Sequence, residues 1–215
     1  MSSISYAVTV CNELVELAHL LKVLTDLRRS EDQIVVLYDN REPNTRLKAL
    51  LDYYTNSFKQ FNYVEQHFDG DFAQWKNKLT QLCTGDYIFQ IDADECPSAH
   101  LLNTLPSIIQ QLESTQIEMV LVPRINTVEG LTDQHVDQWG WNVDSNGWVN
   151  FPDYQSRIYK RIDAIKWVNK VHERLHGFNS YSSLPKDPAY CLIHHKTIER
   201  QERQNQLYSN MIDQQ

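Results

Sequence analysis

The sequence predicts an α/β protein built on a Rossmann-like, open, mostly parallel sheet with helices on both faces. Three observations carry this expectation. Short strand-like runs alternate with segments of helical periodicity through the first 125 residues. Ile34-Val35-Val36-Leu37 is apolar without alternation, and Tyr87 to Ile91 nearly so, as strands covered on both faces are. The 215 residues, 41% of them hydrophobic, suffice for one sizeable core and one domain spanning 1–215.

In chain order, Ile4 to Val10 reads as a strand. Leu14, Leu17, Ala18, Leu21 and Leu24 follow at helical spacing, with Asn12 placed to cap them. After the Ile34 run, Leu47, Leu50, Leu51 and Tyr54 form a second helical stripe, and Phe61 to Val64 a weaker strand. Asp71 and Gln74 have the spacing of a capping box, and Phe72, Trp75, Leu79 and Leu82 continue an apolar helix face. Gly85 reads as the stop of that helix, at the position after its C-cap. Leu101, Leu102, Leu105, Ile108, Ile109 and Leu112 predict a helix that Pro106 breaks or restarts, and Ile117 to Ile125 a fifth strand. Beyond it, 126–154 has little periodicity but gathers Trp139, Trp141, Trp148, Phe151 and Tyr154. Gln155 to Lys160 and Ala189 to His194 read as later strands, and Thr197 to Gln215 as a polar terminal helix on the surface.

Charge excludes some functions. Twenty basic against 28 acidic residues give a formal −8, which argues against a duplex nucleic-acid binder. No apolar run approaches the roughly 18–20 residues that span a bilayer, and the first residues lack the pattern of a signal peptide. Cys11, Cys83, Cys96 and Cys191 are scattered, without a CxxC pair, so a reducing, cytoplasmic setting is expected.

The most informative stretch is Thr84-Gly85-Asp86-Tyr87-Ile88-Phe89-Gln90-Ile91-Asp92-Ala93-Asp94-Glu95, a buried strand running into three acids. In open α/β sheets, ligands bind outside the carboxyl ends of strands. Asp92 and Asp94 can converge there on a hard cation, Mg²⁺ or Mn²⁺, shared with diphosphate oxygens. Without a cation such crowding would be repulsive. The competing reading is that both acids cap the following helix; the strand and the helix before it favour the cation.

Asp71-Phe72-Ala73-Gln74-Trp75-Lys76-Asn77-Lys78-Leu79, followed by Thr84-Gly85-Asp86-Tyr87-Ile88 and Asp92-Ala93-Asp94-Glu95, resembles glycosyltransferase family 2. The strand ending in Asn12-Glu13 and the strand ending in Tyr38-Asp39 are similar to the same family's nucleotide-binding half. The resemblance covers about residues 4–125 well, and the Val171-His172-Glu173 and His194-His195 regions more loosely. It implies a GT-A fold that transfers a sugar from a nucleotide-sugar (UDP-, GDP- or TDP-linked), with 1–125 as the donor half and 126–215 as the acceptor half. It implies that Asn12 and Glu13 bind the donor, that Asp39 contacts its nucleobase or ribose, that Lys76 meets the diphosphate, and that Asp92 and Asp94 hold the metal; a plain turn residue is the alternative for Asp39, and a solvated helix face for Lys76. Asn40-Arg41-Glu42-Pro43 departs from the Gly-Ser-rich turn usual after the second strand.

Family 2 enzymes invert, so one carboxylate on the acceptor side should act as base. Glu173 is the first candidate, by similarity to a Val-His-Glu motif, and Asp153 the second; surface salt bridges are the alternative for both. The family's commoner Glu-Asp and Gln-x-x-Arg-Trp motifs are absent. His194 is a candidate metal ligand, which would favour manganese, or else an ordinary hydrogen-bonding residue. The tryptophan-rich loop could stack an acceptor sugar, with Gly140 and Gly147 as lid hinges, or fill the core, as at least one ring is expected to do. The acceptor (glycan, lipid-linked or protein) is left open. Two rivals remain: a carbohydrate- or nucleotide-binding module of the same fold without turnover, and a sugar-phosphate nucleotidyltransferase. The latter would want a glycine-rich loop where Val10-Cys11-Asn12-Glu13-Leu14 has none.

Overall fold

The computed structural model describes residues 2–212, and side chains through 206. Its first half alternates as expected: β1 (Ile4–Val10), α1 (Leu14–Leu27), β2 (Gln33–Asp39), α2 (Thr45–Ser57), β3 (Phe61–Gln66), α3 (Phe72–Leu82) and β4 (Tyr87–Asp92). β5 (Glu95–Pro97), α4 (Ala99–Thr115), β6 (Met119–Glu129), α5 (Asp133–Trp139) and β7 (Val149–Lys160) follow. The chain closes with β8 (Lys166–Val168), β9 (Arg174–His176), β10 (Tyr181–Ser183), β11 (Leu192–Thr197) and α6 (Ile198–Ile212). Residues 213–215, the end of the expected terminal helix, lie outside the described residues.

Among the described residues, nine strands form one sheet, ordered β3-β2-β1-β4-β7-β6-β11-β5, with β10 added against β6; β8 and β9 pair separately. β1 is parallel to β2 and β4, and β2 to β3. The fifth predicted strand, β6, is not the neighbour of β4. β7 lies between them, antiparallel to both. The reason is on β7 itself: Ile158 faces one core and Tyr159 the other, so this stretch is built for a central position.

Strand alternation divides the helices. Ile4, Tyr6, Val8 and Val10 of β1 share a core with Leu17, Leu20, Leu21 and Leu24 of α1, with α2 and with α4. Ala7, Val35 and Ile88 face Trp75 and Leu79 of α3 on the other side. Each fully buried leucine of α1 contributes on the order of 2 kcal/mol. No helix among the described residues is long and apolar enough to cross a membrane.

Several local expectations change. Asn12 does not cap α1: Glu13 holds that position without a side-chain cap, and its carboxylate turns back to accept from the Cys11 and Asn12 amides at 2.8 and 3.0 Å. Asp71 does cap α3, accepting from the Gln74 amide at 2.9 Å. α4 runs unbroken through Pro106, because Leu101, Leu102, Leu105, Ile109 and Leu112 are buried on both sides of it. Their burial outweighs the roughly 3 kcal/mol cost of an interior proline. α5 escaped the periodicity argument because it buries no residue and so has no apolar stripe. The expected strand at Ala189 starts later, behind a 3-10 turn at Pro188–Tyr190.

Gly85 is needed for a different reason from a left-handed helix cap. A Cβ there would lie 2.6 Å from the Ser5 amide nitrogen and 2.7 Å from the Ile4 carbonyl carbon. Glycine lets the α3–β4 turn lie against β1, with the Gly85 amide donating to Ser5 Oγ at 2.8 Å. Gly85→Ala is expected to cost about 1–3 kcal/mol, as overpacking does. A lowered urea midpoint checks it; an unchanged one would mean that β1 and this turn can separate freely.

Candidate functional site

The carboxyl ends of β1, β2 and β4 form the floor of a cleft of about 1000 Å³, walled by β6, β7, β11 and the start of α6. Basic side chains lining it are as many as acidic ones, although the whole chain carries −8. The balance follows from how the acidic tip is built.

β4 ends at Asp92, and the Ala93 amide donates to the Thr9 carbonyl, holding the tip against β1. Asp92 accepts from Thr9 Oγ1 at 2.9 Å through one oxygen and from Arg157 Nη2 at 2.7 Å through the other, with Lys76 Nζ at 3.7 Å. Glu95, fully buried, pairs with Arg157 and with Arg124 at 2.7 Å. The arginines of β6 and β7 offset much of the expected repulsion at Asp92 and Glu95, while the Asp92 charge still opposes that of Asp94. Burial alone would raise the Asp92 pKa, but Arg157 and Lys76 hold it far below the carboxylate range.

Asp94 points to the other side of the cleft. Its Oδ2 lies 3.1 Å from His194 Nε2 and 3.3 Å from Arg200 Nη2. Burial opposes its ionisation, yet His194 brings its pKa down to about 2. His194 is itself fixed, its Nδ1 2.7 Å from Asn126 Oδ1. Among the described residues, no three His, Cys, Asp or Glu side chains form a ready metal cage. Mg²⁺ and Mn²⁺ commonly take one or two carboxylates and leave the remainder to phosphate and water. Asp94 with His194 fits that partial set, and the imidazole suits manganese. Asp92 accepts one hydrogen bond on each oxygen, which leaves each a lone pair.

Lys76 does not lie on a solvated helix face. It is buried, pairs with Glu173 Oε1 at 2.6 Å and lies over the Trp167 ring at 4.7 Å. It thus links Asp92 at the end of β4 to Glu173 across the cleft. Asn77, beside it, exchanges hydrogen bonds with the Trp167 backbone at 2.8 and 2.9 Å, pinning β8 to α3. Asp153 is not a solvent-facing salt bridge either. Its Oδ2 accepts from Arg124 Nη2 at 2.6 Å and Asn126 at 2.9 Å, and Gln155 donates to Oδ1 at 2.6 Å. Burial would raise its pKa, but Arg124 and these amides bring it below the ordinary value.

At the far end, Asp39 is almost fully buried and held by Arg41 and by the Phe68 amide. Burial opposes its charge; the Arg41 side chain and the two backbone amides more than offset this and lower its pKa. Asn12 and Glu13 also line the cleft, Glu13 pairing with Arg200 at 2.8 Å. Burial, aided by Asp39 and Glu13, pushes the Cys11 thiol up to about 12, so it stays protonated. Of the loop tryptophans, Trp141 lines the cleft against Trp139, ring centroids 4.7 Å apart, and Trp148 packs on Phe151. None of the three is a core residue; the buried tryptophans are Trp75 and Trp167.

The sequence reading missed Arg124, Arg157 and Arg200. Arg157 carries a local signal, a charge beside Ile158-Tyr159 in a strand that is otherwise buried. Arg200 carries none, because its polar helix gives no hint of which face meets the cleft.

A family model described as glycosyl transferase family 2 matches residues 5–183. Three crystal structures share the fold: S. aureus TarS 1-349, the same in complex with UDP, and in complex with UDP-GlcNAc. Their TM-scores are 0.61, 0.62 and 0.62, at 15%, 15% and 16% identity. Each match covers 91% of this chain, which in turn spans 60%, 60% and 59% of those chains. No curated protein sequence matches it.

Proposed function

The chain belongs to glycosyl transferase family 2, and from that premise we propose that it moves a sugar from a nucleotide-sugar to an acceptor hydroxyl, with inversion, using Mn²⁺ or Mg²⁺. The observation that carries this reading is that one cleft holds Asp94, in contact with His194 and Arg200, together with Lys76, which pairs with Glu173. Two metal donors and two cations are what a nucleoside diphosphate needs. The UDP and UDP-GlcNAc complexes of TarS support a UDP-linked donor. Four free cysteines support a cytoplasmic setting.

Lys76 and Arg200 leave their carboxylate partners in part to meet phosphate oxygens. Asp94 and His194 would hold the dication, which when bound stabilises charge on the departing diphosphate. Arg157 keeps Asp92 ionised and fixed beneath them. On the acceptor side Glu173 takes the hydroxyl proton, and Asp153, bound by Arg124, Asn126 and Gln155, orients the acceptor. Trp141 offers that acceptor a ring face.

Asp94→Ala tests the reading. It is expected to fold and to lose Mn²⁺-dependent UDP affinity by at least about tenfold, the scale on which even outer partners of a metal matter. Calorimetric titration with and without Mn²⁺ decides it, and undiminished metal-dependent affinity would remove Asp94 from the site. Binding of UDP-sugars by the unaltered chain without any release of UDP would instead favour the turnover-free module.

A further inference from the structure

Resting on the donor reading above, we propose that Arg41, and not Asp39, meets the donor's nucleobase, and that it selects bases presenting a carbonyl acceptor. Asp39 has no oxygen left to offer. Its Oδ1 accepts from the Arg41 amide at 3.1 Å, from Arg41 Nε at 3.1 Å and from the Phe68 amide at 3.2 Å. Its Oδ2 accepts from Arg41 Nε at 2.8 Å and Nη2 at 2.7 Å. With Asp39 only 4% exposed, a base could reach the carboxylate only by expelling an arginine held along one edge of its guanidinium.

Arg41 is placed to receive a base. Its side chain is 46% exposed, it lines the cleft, and its guanidinium lies 4.8 Å from the centroid of the Phe68 ring. Phe68 and Phe72, ring centroids 4.6 Å apart, give this end of the cleft an aromatic wall, and the cations around Asp92 and Asp94 line another part of it. A planar heteroaromatic ring fits here, and a diphosphate fits there. The turn is fixed before any ligand arrives: the Asn40 amide donates to the Gln66 carbonyl, the Asn44 amide to Tyr38 Oη, and His67 Nδ1 lies 2.7 Å from Asn40 Oδ1.

A guanidinium carries five N–H groups and no acceptor. Asp39 engages Nε and one Nη2–H, and the outer edge of Nη1 and Nη2, beside the Cys11 side chain, keeps N–H groups to donate. The O4 of uracil or the O6 of guanine accepts from such a fork, whereas the amino group of cytosine or adenine, itself a donor, opposes it. Asp39 is then a positioning residue, which sets the plane and charge of Arg41. The Asn40-Arg41-Glu42-Pro43 turn, odd for the family on sequence, becomes the specificity element.

The test is calorimetric titration of the full chain with UDP, GDP, CDP and inorganic pyrophosphate, each with Mn²⁺, for the unaltered protein, Arg41→Ala and Arg41→Lys. The unaltered chain is expected to bind UDP or GDP more tightly than CDP. Arg41→Ala is expected to weaken the preferred keto nucleotide by about tenfold or more while leaving pyrophosphate unchanged. Arg41→Lys, which keeps the charge but not the fork, should lose most of the preference over CDP. Arg41→Ala binding the nucleotide as tightly as before, or more tightly, would overturn the inference, because an unmasked Asp39 would then be the base contact. An equal loss for nucleotide and pyrophosphate would overturn it too, by assigning Arg41 to the phosphates. If the unaltered chain binds pyrophosphate but none of the nucleotides, the donor reading fails as well.

Discussion

Arg157→Met is expected to destabilise the protein by about 3–5 kcal/mol, the usual cost of removing one partner from a buried ion pair. Arg157 is almost wholly buried in β7 and serves two carboxylates, Asp92 and Glu95. Methionine fills the volume but leaves Glu95, which has no solvent exposure, with Arg124 and the Asp92 amide. Pairing Arg157→Met with Glu95→Gln removes the stranded charge, so the double variant should lose less than the sum of the singles. Urea midpoints of the four proteins make the comparison. A single variant as stable as the parent would show that the acidic tip does not depend on its arginine.

The largest expected effect on activity lies at Glu173. Glu173→Gln should lower sugar transfer by at least about a hundredfold, within the range for loss of a general base. Glutamine keeps an oxygen for Lys76, now 2.6 Å from Glu173 Oε1, so the cleft should hold its shape and UDP affinity should persist. Steady-state transfer rates together with UDP titrations separate the two effects. Full turnover in this variant would exclude Glu173 as base and make Asp153 the next carboxylate to substitute.

How legible the protein was depends on the range of the interaction concerned. β1 was read with both ends in place, because a run of apolar residues bounded by polar ones is a local property. The Asp71 cap was legible for the same reason, since cap and amide are three residues apart. The placement of Asp92 and Asp94 at a strand's carboxyl end followed from β4 alone. β7 was read short because its first residues line the cleft, mostly half-buried and without regular alternation. Its place beside β4 was beyond reach, since sheet order depends on which strands can be covered on both faces.

The sequence by itself determined an open α/β sheet, an acidic tip at the end of its fourth strand, and the helix that carries Lys76 towards that tip. Only the tertiary structure decided what those groups face. It set Arg157 against Asp92 across 65 positions of chain, His194 against Asp94 across 100, and Arg41 over the acid first taken for a nucleoside contact. The physical reason is that strand and helix formation are governed by neighbours a few residues away. The protonation and freedom of a buried carboxylate are governed by whichever cation the packed sheet brings within about 3 Å, where the interaction is strong because water is excluded.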